Sequence, residues 1–380
     1  MDILIKNARV YSMDVPPIEC GYIIIKNGKF ESVGDMHDVP TWSGDTFDAH
    51  GAYTLPGLVD AHTHIGLFNE GLRFEGEDGN EDTDPITPQL RAIDAVYPQD
   101  GAFSEARLAG VSTVVTGPGS ANPIGGQFTA IKTCGTRVDD MIIEPCAAIK
   151  FALGENPKMT YNEKDRGPVT RMATASLLRE TLMKTIEYMD NREEDDDCDL
   201  DFKLEALIPL IEGSVPAQIH CHRADDIFTA IRIAKEFNID FVLVHCTEGH
   251  LIADALAREN AKIITGPFMT CRTKPELAHQ NAANAAILAR AGVRVAICSD
   301  YPETQQDALM LSAALAAREG LSDEEAFKMI TINAAEIAGI SARVGSIKQG
   351  KDADIVMYSG HPFDLRSRVC GVWQDGERIV

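Results

Sequence analysis

Two histidines separated by a single residue are the feature of this sequence with the clearest chemical meaning. His62 and His64 follow the short apolar run Leu58-Val59. Side chains at positions i and i+2 of a β-strand point to the same face, so both imidazoles could bind one cation. Such a pair is also found as ordinary buried histidines. By itself it therefore suggests a metal site without establishing one.

Other residues with metal-binding side chains stand at the ends of later apolar runs. His220 and His245 end two such runs, and Asp300 follows a third. The carboxyl ends of the strands of a parallel barrel meet in one small area. Several imidazoles with one carboxylate and no thiolate are typical of a catalytic Zn, Mn or Fe site that leaves coordination positions open. The sequence therefore predicts a metal centre.

The elements that would position these residues are short strands alternating with helical stretches. This rhythm is typical of βα units around a parallel sheet, and eight such units form a closed (β/α)8 TIM barrel of about 250 residues. We predict an α/β fold with this barrel over residues 53–344. Its eight predicted strands lie at 57–60, 111–115, 128–131, 147–151, 217–219, 241–244, 262–264 and 293–297.

Short strands with turn signals also occur near both ends of the chain. An Asn27-Gly28 turn and an Asp375-Gly376 turn are each flanked by apolar runs, as in β-hairpins. Neither segment has enough apolar surface to be stable alone. We therefore predict one small β-sandwich domain built from residues 1–52 and 345–380. An acidic run at 190–201 predicts a solvated loop.

Composition excludes several classes of partner. The chain has 35 Lys and Arg against 58 Asp and Glu, a net charge of -23, which disfavours nucleic acid and anionic membranes. No apolar run reaches the roughly 18 residues of a membrane-spanning helix, so we expect a cytoplasmic protein with a small-molecule substrate. The nine cysteines include no C-x-x-C pair, which predicts reduced thiols and no cysteine nucleophile.

Several motifs in this order resemble the amidohydrolase superfamily of metal-dependent hydrolases, in its imidazolonepropionase-like and prolidase-like branch. They are the run from Pro56 to His64 (PGLVDAHTH), the single histidines after strands five and six, Asp300, and the closing run from Gly345 to Val356 (GSIKQGKDADIV). The similarity extends from Asp2 to Val380. It implies cleavage of an amide-type C–N bond, in a small cyclic amide, an N-acyl amino acid or a dipeptide, by metal-activated water.

The resemblance also implies roles for individual residues. His62 and His64 would bind the more buried metal, while His220 and His245 would bind a second metal, complete a single-metal site or contact the substrate. Asp300 would be both ligand and general base, with His245 beside it in catalysis. One or two divalent cations per chain are expected, most simply Zn, with Mn or Fe as alternatives.

Two positions leave the ligand set open. Lys150 resembles the lysine that is carboxylated and bridges two metals in some relatives, although an ordinary buried ion pair would also explain it. Glu155 offers a competing carboxylate as ligand or substrate contact, and we favour Lys150. His222 shares a strand face with His220 and could replace it as ligand, and we favour His220.

Candidates for substrate binding are less specific. Asn122 and Gln127 belong to a glycine-rich stretch that could bring backbone N–H groups near a bound anion, or could simply form tight turns. Arg223 could pair with a substrate carboxylate, although acidic residues two and three positions later are equally available. Lys132, at the end of the third strand, could face the site or form a structural salt bridge.

Departures from the family keep other functions open. Tyr301-Pro302-Glu303 stands where imidazolonepropionases resemble Asp-x-Asn-Pro-Gly, which disfavours that particular substrate. One alternative is a single-metal deaminase or an imidazolonepropionase-like hydrolase, and another is a catalytically silent barrel scaffold. An apolar stripe at 168–190 fits a helix that faces either the core or another subunit of a homo-oligomer.

Overall fold

The computed structural model describes residues 2–194 and 198–380. Its strands form two sheets of eight strands each, one of which is the barrel. The terminal strands are β1 (Ile3–Val10), β2 (Ile18–Lys26), β3 (Lys29–Asp35), β4 (Asp45–Asp48), β5 (Tyr53–Pro56), and, at the other end of the chain, β14 (Ile355–Tyr358), β15 (Val369–Gln374) and β16 (Glu377–Arg378). The barrel strands are β6 (Leu58–Thr63), β7 (Val111–Thr116), β8 (Ile124–Lys132), β9 (Ile142–Ala152), β10 (Ala217–Cys221), β11 (Phe241–His245), β12 (Lys262–Thr265) and β13 (Arg294–Ile297).

The barrel confirms the predicted fold class, since each of the eight predicted runs overlaps one of its strands. Its strands are buried along most of their length, because side chains on one face fill the barrel and those on the other pack under the helices. Helices follow most strands and cover the outside. They are α1 (Gly101–Leu108), α2 (Glu155–Asn162), α3 (Arg171–Glu194), α4 (Phe202–Glu205), α5 (Ile208–Ile211), α6 (Ala224–Phe237), α7 (Ala253–Arg258), α8 (Ala283–Arg290), α9 (Leu309–Arg318), α10 (Asp323–Met329) and α11 (Ile332–Ile337).

The third barrel strand departs from the expected parallel arrangement. Strand β8 runs antiparallel to both β7 and β9. Only residues 117–123 connect β7 to β8, and a parallel crossover needs a dozen or more residues. The reversal places the beginning of β8 at the end of the barrel where the other strands finish. It also carries Lys132 to the opposite end.

The two edge strands of the barrel, β6 and β13, are joined just beyond the end of β13. The Asp300 amide donates to the His62 carbonyl (3.3 Å), and the His64 amide donates to the Tyr301 carbonyl (3.0 Å). These bonds bring the residues of the histidine pair next to Asp300. The same hydrogen bonds therefore close the barrel and bring the candidate ligands together.

The terminal strands form a sheet in the order β16-β15-β14-β5-β1-β2-β3, with β4 paired to β1. The buried side of this sheet includes Ile23, Ile25, Met357 and Trp373, which come from both ends of the chain. The sheet contains β5, so it reaches Pro56, beyond the predicted limit at residue 52. The division of the chain into two domains stays a prediction.

Lys132 joins the barrel to this terminal sheet. Its Nζ lies 2.7 Å from Asp354, 3.0 Å from Asp375 and 3.1 Å from Asp352. Burial lowers the pKa of Lys132, but the three carboxylates outweigh that effect and raise it. Lys132 is therefore a structural ion-pair residue.

Two further expectations concern the long helix and the acidic run after it. Helix α3 continues to Glu194, so the first part of the predicted acidic loop is helical, while residues 195–197 of that loop lie outside the described residues. The buried face of helix α3 includes Leu178, Leu182 and Thr185, in agreement with a helix packed on the core.

Within the described ranges, no helix has the length and apolarity required to cross a membrane.

Candidate metal centre

Several of the candidate ligands line a cavity of about 480 Å³ at the carboxyl end of the parallel strands. This volume is in the range of small-molecule sites. The strands β6, β9, β10 and β11 each contribute a side chain near their ends, and Asp300 follows β13. The floor and walls include His64, His220, His222, Asp300, Ser120, Asn156, Lys274 and Glu303.

The first cluster consists of His62, His64 and Asp300, whose ligand atoms all lie within 4.8 Å of one another. Asp300 Oδ1 lies 3.3 Å from His64 Nε2 and 3.6 Å from His62 Nε2. Asp300 Oδ2 lies 3.9 Å from His245 Nε2. One carboxylate therefore faces three imidazole nitrogens, as the sequence predicted for a shared metal site.

In two of these rings, the hydrogen bond made by Nδ1 determines whether Nε2 can bind a metal. His64 Nδ1 lies 2.6 Å from the Gly117 carbonyl, and His245 Nδ1 lies 2.8 Å from the Gly266 carbonyl. Since a carbonyl only accepts, each Nδ1 must donate, which leaves a lone pair on Nε2 of the neutral ring. These lone pairs face the carboxylate of Asp300. Imidazole lone pairs and a carboxylate that face one another in a buried site, without a proton to share, are suited to bind a divalent cation between them.

His62 is held in the same way by a residue that the sequence did not suggest. Its Nδ1 lies 2.7 Å from Gln218 Oε1, and Gln218 Nε2 donates to the Ala61 carbonyl (3.3 Å). Burial lowers the pKa of His62 well below its usual value, which keeps the ring neutral. Burial raises the pKa of the Asp300 carboxyl, and positively charged His245 and His64 rings would lower it.

Lys150 lies against the first cluster, with Nζ 3.1 Å from His62 Nε2. Its side chain is fully buried, and burial lowers its pKa to about 8. Among residues 2–194 and 198–380, no carboxylate forms an ion pair with Nζ, and Asp300, which favours the charged form of Lys150, does not offset the effect of burial. An amine that is readily neutral beside metal-ligand candidates is suited to carboxylation, which requires the uncharged form.

The second cluster consists of His220, His222 and His245. The centroid of each ring lies 4.6 Å from those of the other two. His222 Nδ1 lies 2.7 Å from Thr247 Oγ1. His220, in β10, and His222, just after it, thus both belong to this cluster, and each ring lies equally close to that of His245.

The structure places Glu155 outside both clusters. Its carboxylate accepts from the Glu276 amide (3.4 Å), and its own amide donates to Glu276 Oε2 (3.0 Å). These reciprocal bonds tie helix α2 to the loop after β12. The carboxylate that does approach the second cluster is Glu276, with Oε1 3.7 Å from His222 Nε2. Its loop has no periodic pattern, so the sequence contained no signal for it.

The three predicted substrate contacts are also placed away from the cavity lining. Asn122 donates to Thr87 Oγ1 (2.9 Å) and accepts from the Tyr161 hydroxyl (2.6 Å), so its amide is used within the protein. Gln127 donates to the Pro88 carbonyl (3.3 Å), and Arg223 pairs with Asp225 (2.8 Å). Local partners satisfy all three side chains. The positively charged side chain that does line the cavity is that of Lys274.

Asp60, within the run from Pro56 to His64, is a further residue whose role emerges from the structure. It accepts from the Ser299 hydroxyl (2.5 Å) and from the amides of Ser299 and His62. Burial raises the pKa of Asp60 to about 7. The carboxyl connects the strand that carries the histidine pair to the segment that carries Asp300, and so orients both.

Comparisons with known proteins identify the family. Over its whole length, the chain is 41% identical to an amidohydrolase from Thermotoga maritima MSB8, with 99% of that structure covered and a TM-score of 0.96. The chain belongs to the amidohydrolase family. The family model described as "Amidohydrolase family" matches residues 210–380, which include β10 to β16. Members depend on metal and hydrolyse C–N bonds, and the donor set described above fits that chemistry.

Curated relatives support the same branch at lower identity. The chain is 28% identical over 94% of its length to amidohydrolase tasK of Hapsidospora irregularis, and it spans 39% of the length of that protein. It is 24% identical over 96% of its length to an imidazolonepropionase of Sphingopyxis alaskensis, covering 93% of that enzyme. The predicted imidazolonepropionase-like branch is confirmed.

Proposed function

We propose that this protein hydrolyses the amide-type C–N bond of a small cyclic amide, an N-acyl amino acid or a dipeptide, with water as nucleophile and a divalent cation as cofactor. One observation carries the proposal. The carboxylate of Asp300 faces the Nε2 atoms of His62, His64 and His245 at 3.3–3.9 Å, on the floor of a cavity sized for a small molecule.

His62, His64 and Asp300 would hold the cation, with His245 and Lys150 beside them. A divalent cation in such a site supplies a Lewis acid that polarises a carbonyl and makes water more acidic. Asp300 would then act as general base, because its carboxylate lines the cavity beside the imidazoles that would hold the cation. It takes a proton from the attacking water and returns it to the leaving nitrogen.

The residues around Asp300 keep this carboxylate in place. His64 and His245 cannot turn away, because each Nδ1 is held by a backbone carbonyl. Ser299, whose hydroxyl donates to Asp60, holds the segment before Asp300 against β6. The base is thereby pre-oriented toward the cavity.

The test is a double variant, His62→Ala with His64→Ala, compared with wild type for cation content and for hydrolysis of a panel of cyclic amides, N-acyl amino acids and dipeptides. We expect the variant to lose the cation of the first cluster and its hydrolysis to fall to background. The matched control is His37→Ala with His50→Ala, because those side chains are 96% and 85% exposed. Full activity in the first variant would contradict the proposal.

The products distinguish amide hydrolysis from the single-metal deaminase alternative. Opening of a ring amide or release of an amino acid supports the proposal. Release of ammonia from an exocyclic amine would instead establish the deaminase. Wild-type protein that binds the cation but cleaves none of these substrates would favour the silent scaffold.

A further inference from the structure

Lys274 is the only Lys or Arg among the described residues that line the cavity. It lies in the loop after β12, and 26% of its side chain is exposed. Its Nζ lies 2.8 Å from Glu276 Oε1 and donates to Asn156 Oδ1 (2.7 Å). An ammonium group has three N–H donors, and these two acceptors use two of them. One donor of a charged group is therefore left for a ligand in the cavity.

Asn156 connects this lysine to a serine that also lines the cavity. Because a lysine can only donate, the Asn156 atom that faces it is the carbonyl oxygen, and Nδ2 then donates to Ser120 Oγ (2.7 Å). The oxygen of Ser120 is thus an acceptor, and its own O–H proton has no acceptor among the described residues. The linked side chains therefore present two hydrogen-bond donors to the cavity, one of them charged.

These donors lie beside the candidate metal ligands. Asn156 Nδ2 is 3.4 Å from His220 Nε2, so a single amide group separates Lys274 from that ring. In an N-acyl amino acid or a dipeptide, one carbon atom separates the carboxylate from the scissile nitrogen. A carboxylate that contacts Lys274 and Ser120 can therefore keep the scissile bond close to the histidines.

We propose that Lys274 and Ser120 bind a carboxylate of the substrate. The substrate class is then an amide that carries a carboxylate next to the scissile nitrogen, as N-acyl amino acids and dipeptides do, and a neutral cyclic amide is disfavoured. A hydrogen bond from an ammonium group to a carboxylate is about twice as strong as one between neutral groups. This assignment deepens the proposed function, and it rests on that function for the position of the scissile bond. It makes Lys274 a specificity-determining residue.

Glu276 offers the competing explanation for Lys274. Its side chain is fully buried, and a buried carboxylate requires a partner. Glu276 Oε2 also accepts from the Glu155 amide (3.0 Å), however, so Lys274 is not its sole partner. A purely structural lysine would affect all substrates alike. A lysine that binds the substrate would affect only those with a carboxylate.

The experiment compares N-acetyl amino acids with the matching N-acetyl amino alcohols, in which CH₂OH replaces the carboxylate, on the metal-loaded full chain. We expect wild type to favour the acid in kcat/KM by about 10- to 100-fold. Lys274→Met should abolish this preference by raising KM for the acid alone, and Lys274→Arg should retain part of it. Ser120→Ala should reduce it by about 2- to 10-fold.

Lys262→Met is the matched control, because Lys262 also pairs with a carboxylate, that of Asp240 (3.1 Å), and does not line the cavity. It should keep the full preference. Calorimetry provides a readout without turnover, since free amino acids and amino alcohols contain no amide bond. Wild type should bind the amino acid more tightly than the amino alcohol, and Lys274→Met should bind both equally. Circular dichroism melts check that each variant is folded.

Three outcomes would overturn the assignment of Lys274. They are equal kcat/KM for acid and alcohol in wild type, an acid preference that survives in Lys274→Met, and an equal loss for both substrates in that variant. Survival would show that the carboxylate binds elsewhere, and an equal loss would make the lysine structural. If wild type cleaves neither substrate, the proposed function fails, and the calorimetric comparison still decides whether Lys274 binds a carboxylate.

Discussion

Two buried lysines on neighbouring barrel strands have opposite surroundings. Lys132 ends β8, and Lys150 lies near the end of β9. Because these strands are antiparallel, the two side chains lie at opposite ends of the barrel. Lys132 faces three carboxylates, and Lys150 faces the imidazole of His62.

The difference shows that burial alone does not determine the state of a lysine. Burial lowers the pKa of both residues, yet Lys132 ends with a raised pKa and Lys150 with a pKa of about 8. The carboxylates around Lys132 outweigh burial and stabilise its charge, whereas Asp300, which favours the charged form of Lys150, does not offset burial. One end of the barrel is therefore organised for stability. The other end holds an amine with a lowered pKa beside the candidate ligands.

The largest effect is expected at the end of the barrel that carries the candidate metal ligands. Asp300→Asn should lower kcat by about 10²- to 10⁴-fold, because the amide cannot act as general base. The fold should survive, since the amide group keeps the shape of the carboxyl. The measurement is steady-state hydrolysis together with a thermal melt. Unimpaired turnover would remove Asp300 from the mechanism and weaken the contrast between the two ends.

Lys132→Met should have the opposite profile. Removing the ammonium group leaves buried Asp354 without an ion-pair partner among the described residues, and breaking a buried pair costs about 3–5 kcal/mol. We expect a clear fall in the free energy of unfolding, measured in urea, with kcat of the folded fraction nearly unchanged. If kcat instead collapses while stability is retained, the assignment of the two lysines is reversed.

Lys150→Ala should lose activity by about 10²-fold, a loss of the size seen for residues that support metal ligands. If Lys150 is carboxylated, short carboxylic acids added to the assay should partly restore turnover by occupying the vacated space. Lys132→Ala, assayed with the same acids, is the control and should show no rescue. Full activity of Lys150→Ala without any additive would exclude a bridging role.

The smallest expected effect is a difference in alkaline stability of the chelator-treated protein. Lys150 has a folded pKa of about 8 against 10.5 when unfolded. Between these values the unfolded chain binds the proton and the folded chain does not, so stability should rise with pH from about 8 to 10.5. Lys132, with its raised pKa, should lose its contribution only above 10.5. Lys150→Met should abolish the rise, as followed by melts across that range.

Much of the fold was accessible from local patterns. Apolar runs placed all eight barrel strands, and the Asn27-Gly28 turn does connect β2 to β3. The antiparallel direction of β8 was not predicted, because an apolar run does not reveal the direction of its strand. That one error misplaced Lys132, which was considered for the site and belongs to the far end of the barrel.

The candidate site could likewise be predicted only in part from the sequence. Side-chain type and strand position identified His62, His64 and Asp300, and the structure brings them together. Asn122, Gln127 and Arg223 were predicted to contact the substrate but do not line the cavity. Their polar atoms instead bond to nearby groups of the protein. Those local partners become visible only after folding.

By itself the sequence determined which donor atoms are available, in which order, and on which strands, since these follow from residue identity and local apolar periodicity. Only the tertiary structure decided how the donors are grouped. The stacking of His222 on His245, the approach of Glu276 and the opposite surroundings of Lys132 and Lys150 all depend on contacts of a few ångströms between distant residues; Lys132 and Asp354, for example, are 222 positions apart. Coordination and pKa vary steeply over such distances, and packing alone sets them.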